Sequence, residues 1–146
     1  MMKVLTLVER GGRSRSIKVT SFKKAEITRA LASASRESIL NTDEARHYGV
    51  IGREFARHDT VVHSKDEYVR DDAYTNTAEG FFSIFKREMR GIYQHCSDKH
   101  LHRYLAEFDF RYSNRIALGV DDTARADRML AGVVGKRLTY RTTARA

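Results

Sequence analysis

Two short runs carrying β-branched and aliphatic residues, "KVLTLVE" and "SRSIKVT", flank the polar, glycine-bearing "RGGR". Such runs read as strands, and Gly11 and Gly12 permit the positive backbone dihedrals of a tight turn, so the chain opens on a β-hairpin. Thr20 or Ser21 is placed to cap a helix running to about Ser33, with Phe22, Ile27 and Leu31 on its inner side. "ESILNTD" reads as a short buried strand ending on Asp43, "EARHYGVIGREF" as a short helix broken by glycine, and "HDTVVH" as another short strand. Residues 64–75, "SKDEYVRDDAYT", have no period and many turn formers, which predicts a loop. The remainder is helical in pattern. Residues 76–94 gather Phe81, Phe82, Phe85, Met89, Ile92 and Tyr93 on one broad face. Residues 98–112 place Leu101, Tyr104, Leu105, Phe108 and Tyr112 at offsets of 3, 4, 7 and 11, and a last helix covers Asp122 to Val134. The order is hairpin, helix, two strands, then helices: an α/β layer followed by a helical C-terminal half.

Composition adds bounds to this picture. At 146 residues the chain fits one domain, 1–146, ending in a basic tail from about 135. No apolar run approaches a membrane span, and the N-terminus has five consecutive uncharged residues, too few for a signal-peptide core. The single cysteine, Cys96, cannot pair within the chain and points to a reducing cytoplasm, with Cys96 itself a helix-end or core residue. The net charge of +8 is uneven. Residues 1–30 carry eight Lys/Arg against two acids, and 123–146 six against one, whereas 31–80 carry six against ten. Basic ends around an acidic middle suit a chain that grips a polyanion and keeps carboxylates for a metal; a well-solvated surface explains the same totals.

The helix over 76–94 is where these two readings separate. Glu79 and Lys86 are seven positions apart, close to two helical turns, and Ser83 and Arg90 join them in one polar stripe opposite the aromatics. A packed helix with a wet side explains such a stripe by itself. Asp43 changes the weighting, because it ends a strand at a sheet edge, with thirty-five residues between it and Glu79. Transfer of a DNA phosphodiester commonly uses two metal ions roughly 3.5–4 Å apart, held by carboxylates from different elements. Magnesium takes hard oxygen ligands and keeps several waters, so few protein ligands suffice. Arg111, Arg115, Lys136, Arg137 and Arg141 are further candidates for phosphate, which arginine bonds bidentately. Tyr112 and Tyr140 suit either base stacking or core packing. His95, His100 and His102 lack a closed zinc spacing and read as solvated or capping groups; His63, Asp66, Asp71 and Asp72 read as solvated loop residues.

"NTDEARHY", "YTNTAEGFFSIFKREMRGIYQHCSDKHLHRYLAEFDFRYSNR" and "GKRLTY" together resemble the integrase-like core of bacterial insertion-sequence transposases with a DDE-type site, most specifically over residues 75–115. The resemblance implies a ribonuclease-H-like mixed sheet with flanking helices, Mg²⁺ or Mn²⁺ as cofactor, and cut-and-join chemistry on double-stranded DNA at transposon ends and target. It implies that Asp43 is the second acid and Glu79 the third, that both hold metal, and that Lys86 contacts DNA. Asn76, in the same "TNTAEG" motif, is a rival or auxiliary ligand. The family's first Asp lies on a central strand ahead of the hairpin, and here no acid precedes Glu9, itself a turn residue by position. The expectation is therefore an N-terminally truncated copy without that strand, inactive by itself and paired, if at all, as a homo-oligomer. Two other readings stand beside a transposase core: a non-catalytic DNA-binding remnant, and a basic interaction protein with no nucleic-acid role.

Overall fold

The structure, a computed structural model, describes residues 2–43, 48–61, 69–70, 73–74 and 76–136. These fall into two compact units, Met1–Ser113 and Asn114–Ala146.

The first unit is mixed α/β. Strands β1 (Lys3–Val8) and β2 (Ser14–Val19) pair antiparallel from Lys3 opposite Val19 to Val8 opposite Ser14, which is the expected hairpin. Its turn is closed by Glu9 N–H donating to the Arg13 carbonyl at 2.8 Å, and Gly11 takes φ of 65°. The Glu9 carboxylate folds over the same turn and accepts the Arg13 N–H at 3.2 Å, so Glu9 is a turn residue.

Because side chains alternate along a strand, β1 feeds two cores. Val4 and Val8 pack on a cluster of Phe81, Phe85, Leu101, Leu105 and Phe108. Leu5 and Leu7 pack on the opposite cluster of Ile27, Leu31, Ile51 and Phe55. The first cluster belongs to α3 (Asn76–Gly91) and α4 (Leu101–Ser113), and the second to α1 (Lys24–Leu31), α2 (Tyr48–Gly52) and the residues beside them.

The outer edge of β2 is covered by α4. Asp109 accepts from Ser14 Oγ at 2.8 Å, from Ser16 Oγ at 2.9 Å and from the Ser16 N–H at 2.5 Å, while Ser113 Oγ accepts from the Ser14 N–H at 3.0 Å. Two backbone donors that an edge strand leaves open are thus satisfied by side chains. Asp109→Ala should cost about 2–3 kcal/mol, since it strips a half-buried charge from three donors. A urea midpoint that does not move would show that the helix, and not this carboxylate, holds the hairpin.

Several local expectations are corrected. Helix α1 starts at Lys24, and Lys23 at its cap makes no side-chain cap bond. Glu26 reaches back instead, accepting the Thr20 N–H at 2.9 Å and the hydroxyls of Thr20 and Ser21; the Thr20 hydroxyl, foremost among these, holds the Glu26 carboxyl below its ordinary pKa. Phe22, expected inside, is exposed, because it precedes the helix whose face was to bury it. Strand β3 (Ile39–Asp43) ends where expected, although Ile39 at its start is 52% exposed. It pairs parallel with β4 (Arg57–Val61), with Asp43 opposite Val61. Thr42 Oγ1 bonds His58 Nε2 at 2.8 Å across this pair. A Cβ on Gly52 would come within 2.1 Å of the His58 ring, so glycine is what lets α2 end against β4.

Within the expected loop, β5 (Val69–Arg70) and β6 (Ala73–Tyr74) form a short antiparallel pair. Two-residue strands are too short for a period to register. Among the described residues the strands form three two-stranded ladders, β1–β2, β3–β4 and β5–β6.

The second unit has a 3₁₀ turn at Ile116–Leu118 and helix α5 (Asp122–Ala131). Asp121 caps α5 by accepting the Ala124 N–H at 2.8 Å. Arg125 and Arg128 tie the helix to Asn114, by bonds of 2.9 Å to its carbonyl and 2.7 Å to its Oδ1. α5 stops three residues short of Val134, with glycines at 132 and 135, the latter at φ of 76°. No helix of the described residues is long and apolar enough to cross a membrane.

Candidate functional site

Helix α3 is amphipathic because its aromatics recur on one side, and packing rather than propensity fixes its orientation. Phe81 is 1% exposed and meets Phe108 and Tyr112 edge-on, each with ring centroids 5.0 Å away. Phe85 meets Phe108 at 5.1 Å. Tyr112 is therefore a core residue, and Ile92, predicted inside, is exposed beyond the last turn of the helix.

With that face buried, the opposite one is forced outward. Asn76, Glu79, Ser83, Lys86 and Arg90 are all exposed, along one stripe of a single helix. Arg87 beside them is exposed too. None of Lys86, Arg87 and Arg90 forms an ion pair with another described residue. Their charge is left to solvent or to a ligand. Glu79 lies in the first turn of α3, where the helix dipole favours a carboxylate. Asp43 is the last residue of β3, next to the buried Thr42. Asp43, Glu79 and the Asn76 carboxamide would make an all-oxygen donor set, the chemistry magnesium and manganese accept. Among the described residues no group of three or more His, Cys, Asp or Glu is assembled to hold a metal.

The other candidate cations stand differently. Arg111 is engaged inside its own unit: its guanidinium pairs with Glu88, donates to Tyr93 Oη at 3.1 Å and lies 3.7 Å from Glu107. Burial works against its charge, yet Glu88, Tyr93 and Glu107 together outweigh that and raise its pKa above the ordinary value. Burial acts the opposite way on the Tyr93 hydroxyl and raises its pKa. Arg115 is half-buried at the start of the second unit, and Lys136 is exposed at the end of the described chain. Arg137, Tyr140 and Arg141 lie outside the described residues, as do His63, Asp66, Asp71 and Asp72.

His95, His100 and His102 are exposed. Cys96 packs half-buried against the α3–α4 core, where burial and then the Asp98 carboxylate push its thiol pKa up, away from nucleophilic use. Sequence reasoning missed the pairing of Arg111 with Glu88 and the Asp109 clamp. The clamp had a signal: an acid on the inner side of an amphipathic helix, and serines at alternate positions of a strand.

No curated protein and no solved structure matches the chain. The family model of the ISXO2-like transposase domain does match, over residues 2–113. The match ends at the residue where the first unit ends and takes in Asp43 and the whole of α3, while "GKRLTY" falls beyond it. It ties the chain to transposition and, through that, to DNA. With more than half its length inside this match, the chain belongs to the insertion-sequence transposases of the ISXO2-like family.

Proposed function

We propose that the chain acts on duplex DNA at a carboxylate site made by Asp43 and Glu79, with the cations of α3 holding the phosphate backbone. The observation that carries this reading is the single exposed stripe of α3, where Glu79 is followed two turns on by Lys86 and Arg90. A stripe held outward by a packed aromatic face is preorganised: the helix cannot rotate the carboxylate away without exposing Phe81.

In this reading Asp43 and Glu79 hold a divalent ion, and Asn76 is an auxiliary oxygen donor at the start of the same helix. A bound magnesium or manganese ion would supply Lewis-acid polarisation of the phosphodiester there. Lys86 and Arg90 neutralise the neighbouring phosphates and fix the register of the strand. The finer fold assignment, a ribonuclease-H-like layer, belongs to the same proposal. It is supported by the order of antiparallel hairpin, helix, parallel strand pair and acid-bearing helix.

The test is binding of duplex DNA and of Mn²⁺ by the purified chain. DNA affinity is expected between roughly 10⁻⁴ and 10⁻⁶ M and to fall steeply with salt. The double substitution Lys86→Ala, Arg90→Ala should weaken it severalfold and flatten the salt dependence by about two units of slope. Binding that ignores salt, or that both substitutions leave intact, removes α3 from the interface. Salt-dependent DNA binding without any Mn²⁺ binding favours the second reading, a DNA-binding form without metal chemistry.

A further inference from the structure

We infer that the tip of the β1–β2 hairpin is a second phosphate-contact surface, a rigid arginine-bearing turn that lies on duplex DNA independently of the α3 stripe. The inference rests on the reading that the chain binds duplex DNA. Arg10, Arg13 and Arg15 fall within six residues of "RGGRSR", and all three are exposed. The guanidinium groups of Arg13 and Arg15 have no ion-pair or hydrogen-bond partner among the described residues.

What distinguishes this turn from an ordinary solvated loop is how firmly it is held at both ends. At the tip, Gly12 N–H donates to the Glu9 carbonyl at 3.1 Å, and Glu9 Oε2 takes the Arg13 N–H. A Cβ at Gly12 would lie 2.2 Å from that same Oε2, so the carboxylate occupies the space a side chain would take. At the base, Ser14 and Ser16 turn their hydroxyls to Asp109 on α4. Strand alternation then puts Arg15, opposite Leu7, on the other face of the hairpin, and Arg13 lies just before the strand; both are exposed, with Cα atoms about 7 Å apart.

This arrangement costs little on binding. A flexible loop loses backbone freedom when it docks, at about 1–2 kcal/mol per residue fixed, whereas this backbone is already fixed. Among the described residues, the Glu9 carboxylate takes the Arg13 N–H and the Asp109 carboxylate takes the Ser14 and Ser16 donors. The exposed guanidinium groups of Arg13 and Arg15 have no carboxylate partner among those residues. Both contacts are to backbone phosphates, so they position the duplex without reading its bases.

The experiment is DNA binding across a salt series by the full chain, by Arg13→Ala, Arg15→Ala, and by Lys86→Ala, Arg90→Ala. The hairpin variant is expected to bind about tenfold more weakly at low salt and to lose about two units from the slope of log K against log salt, one per phosphate released. The paired Arg13→Lys, Arg15→Lys variant should keep most of the slope, which separates charge from folding. If the parent chain binds and the α3 variant weakens it, but the hairpin variant matches the parent in affinity and slope, the hairpin inference is overturned and the α3 reading stands. If the parent shows no salt-dependent binding at all, both fall together.

Discussion

In a preparation of the chain that cleaves a duplex carrying the element's own ends, Glu79→Gln is expected to lower that divalent-metal-dependent cleavage by at least about a hundredfold, with the fold retained. A factor of a hundred is about 2.7 kcal/mol of transition-state stabilisation, the scale on which one electrostatic group at a reacting centre acts. Glutamine keeps the side-chain volume and one carbonyl oxygen, so what is lost is the negative charge that a hard cation requires. Glu79 is exposed, and its replacement opens no cavity. The share of the helix dipole that a first-turn carboxylate answers contributes about 0.3–1 kcal/mol to the stability lost. Mn²⁺ binding measured directly supplies a readout that does not depend on turnover, and it should weaken in parallel. Ser83→Ala, on the same stripe, should change neither. An Asn76→Ala variant that loses more metal affinity than Glu79→Gln would move the third ligand from the glutamate to the asparagine.

The parts of this architecture that were legible in the sequence are those with a sustained helical period or a marked turn. The hairpin was legible because two short strand-forming runs flank a pair of glycines, and α3 and α4 because their apolar residues repeat over two or three turns. Short elements gave too few positions to count. The β5–β6 pair, with two residues per strand, could not be told from turn residues, and α2 holds together through Gly52 meeting His58, a tertiary fact.

Caps misled for a different reason. Thr20 and Ser21 have the chemistry of N-caps, but the helix begins later and uses Glu26 to gather both hydroxyls. Residue type showed which groups would bond, not which way the bond would run. The stripe of α3 was readable because it is the complement of a core; Arg111 was not, since its partner Glu88 lies on another helix.

The α3–α4 core also sets the largest expected stability effect. Phe81→Ala should destabilise the first unit by about 3–5 kcal/mol, the range for a buried phenylalanine reduced to a methyl group. Phe81 is 1% exposed, and its ring lies within 5.5 Å of three others, those of Phe82, Phe108 and Tyr112, all edge-on. Removing it empties a space bounded by α3, α4 and the Val4–Val8 face of β1, so neighbours on three elements would have to move to refill it. Rings in this geometry contribute about 0.5–1.5 kcal/mol per pair beyond their area. A domain of this size typically has 5–15 kcal/mol in all, so the loss takes a large share of it. The consequence for function runs through geometry: α3 carries Glu79 and Lys86 on the side away from Phe81, and a helix no longer anchored there cannot hold them in place. Urea unfolding followed by far-ultraviolet circular dichroism would read the change as a lower midpoint at similar slope. Phe81→Leu, which refills most of the volume, should recover more than half of it. A midpoint for Phe81→Ala within about 1 kcal/mol of the parent would mean that this cluster closes over the gap, and that α3 is positioned by contacts other than the aromatic core.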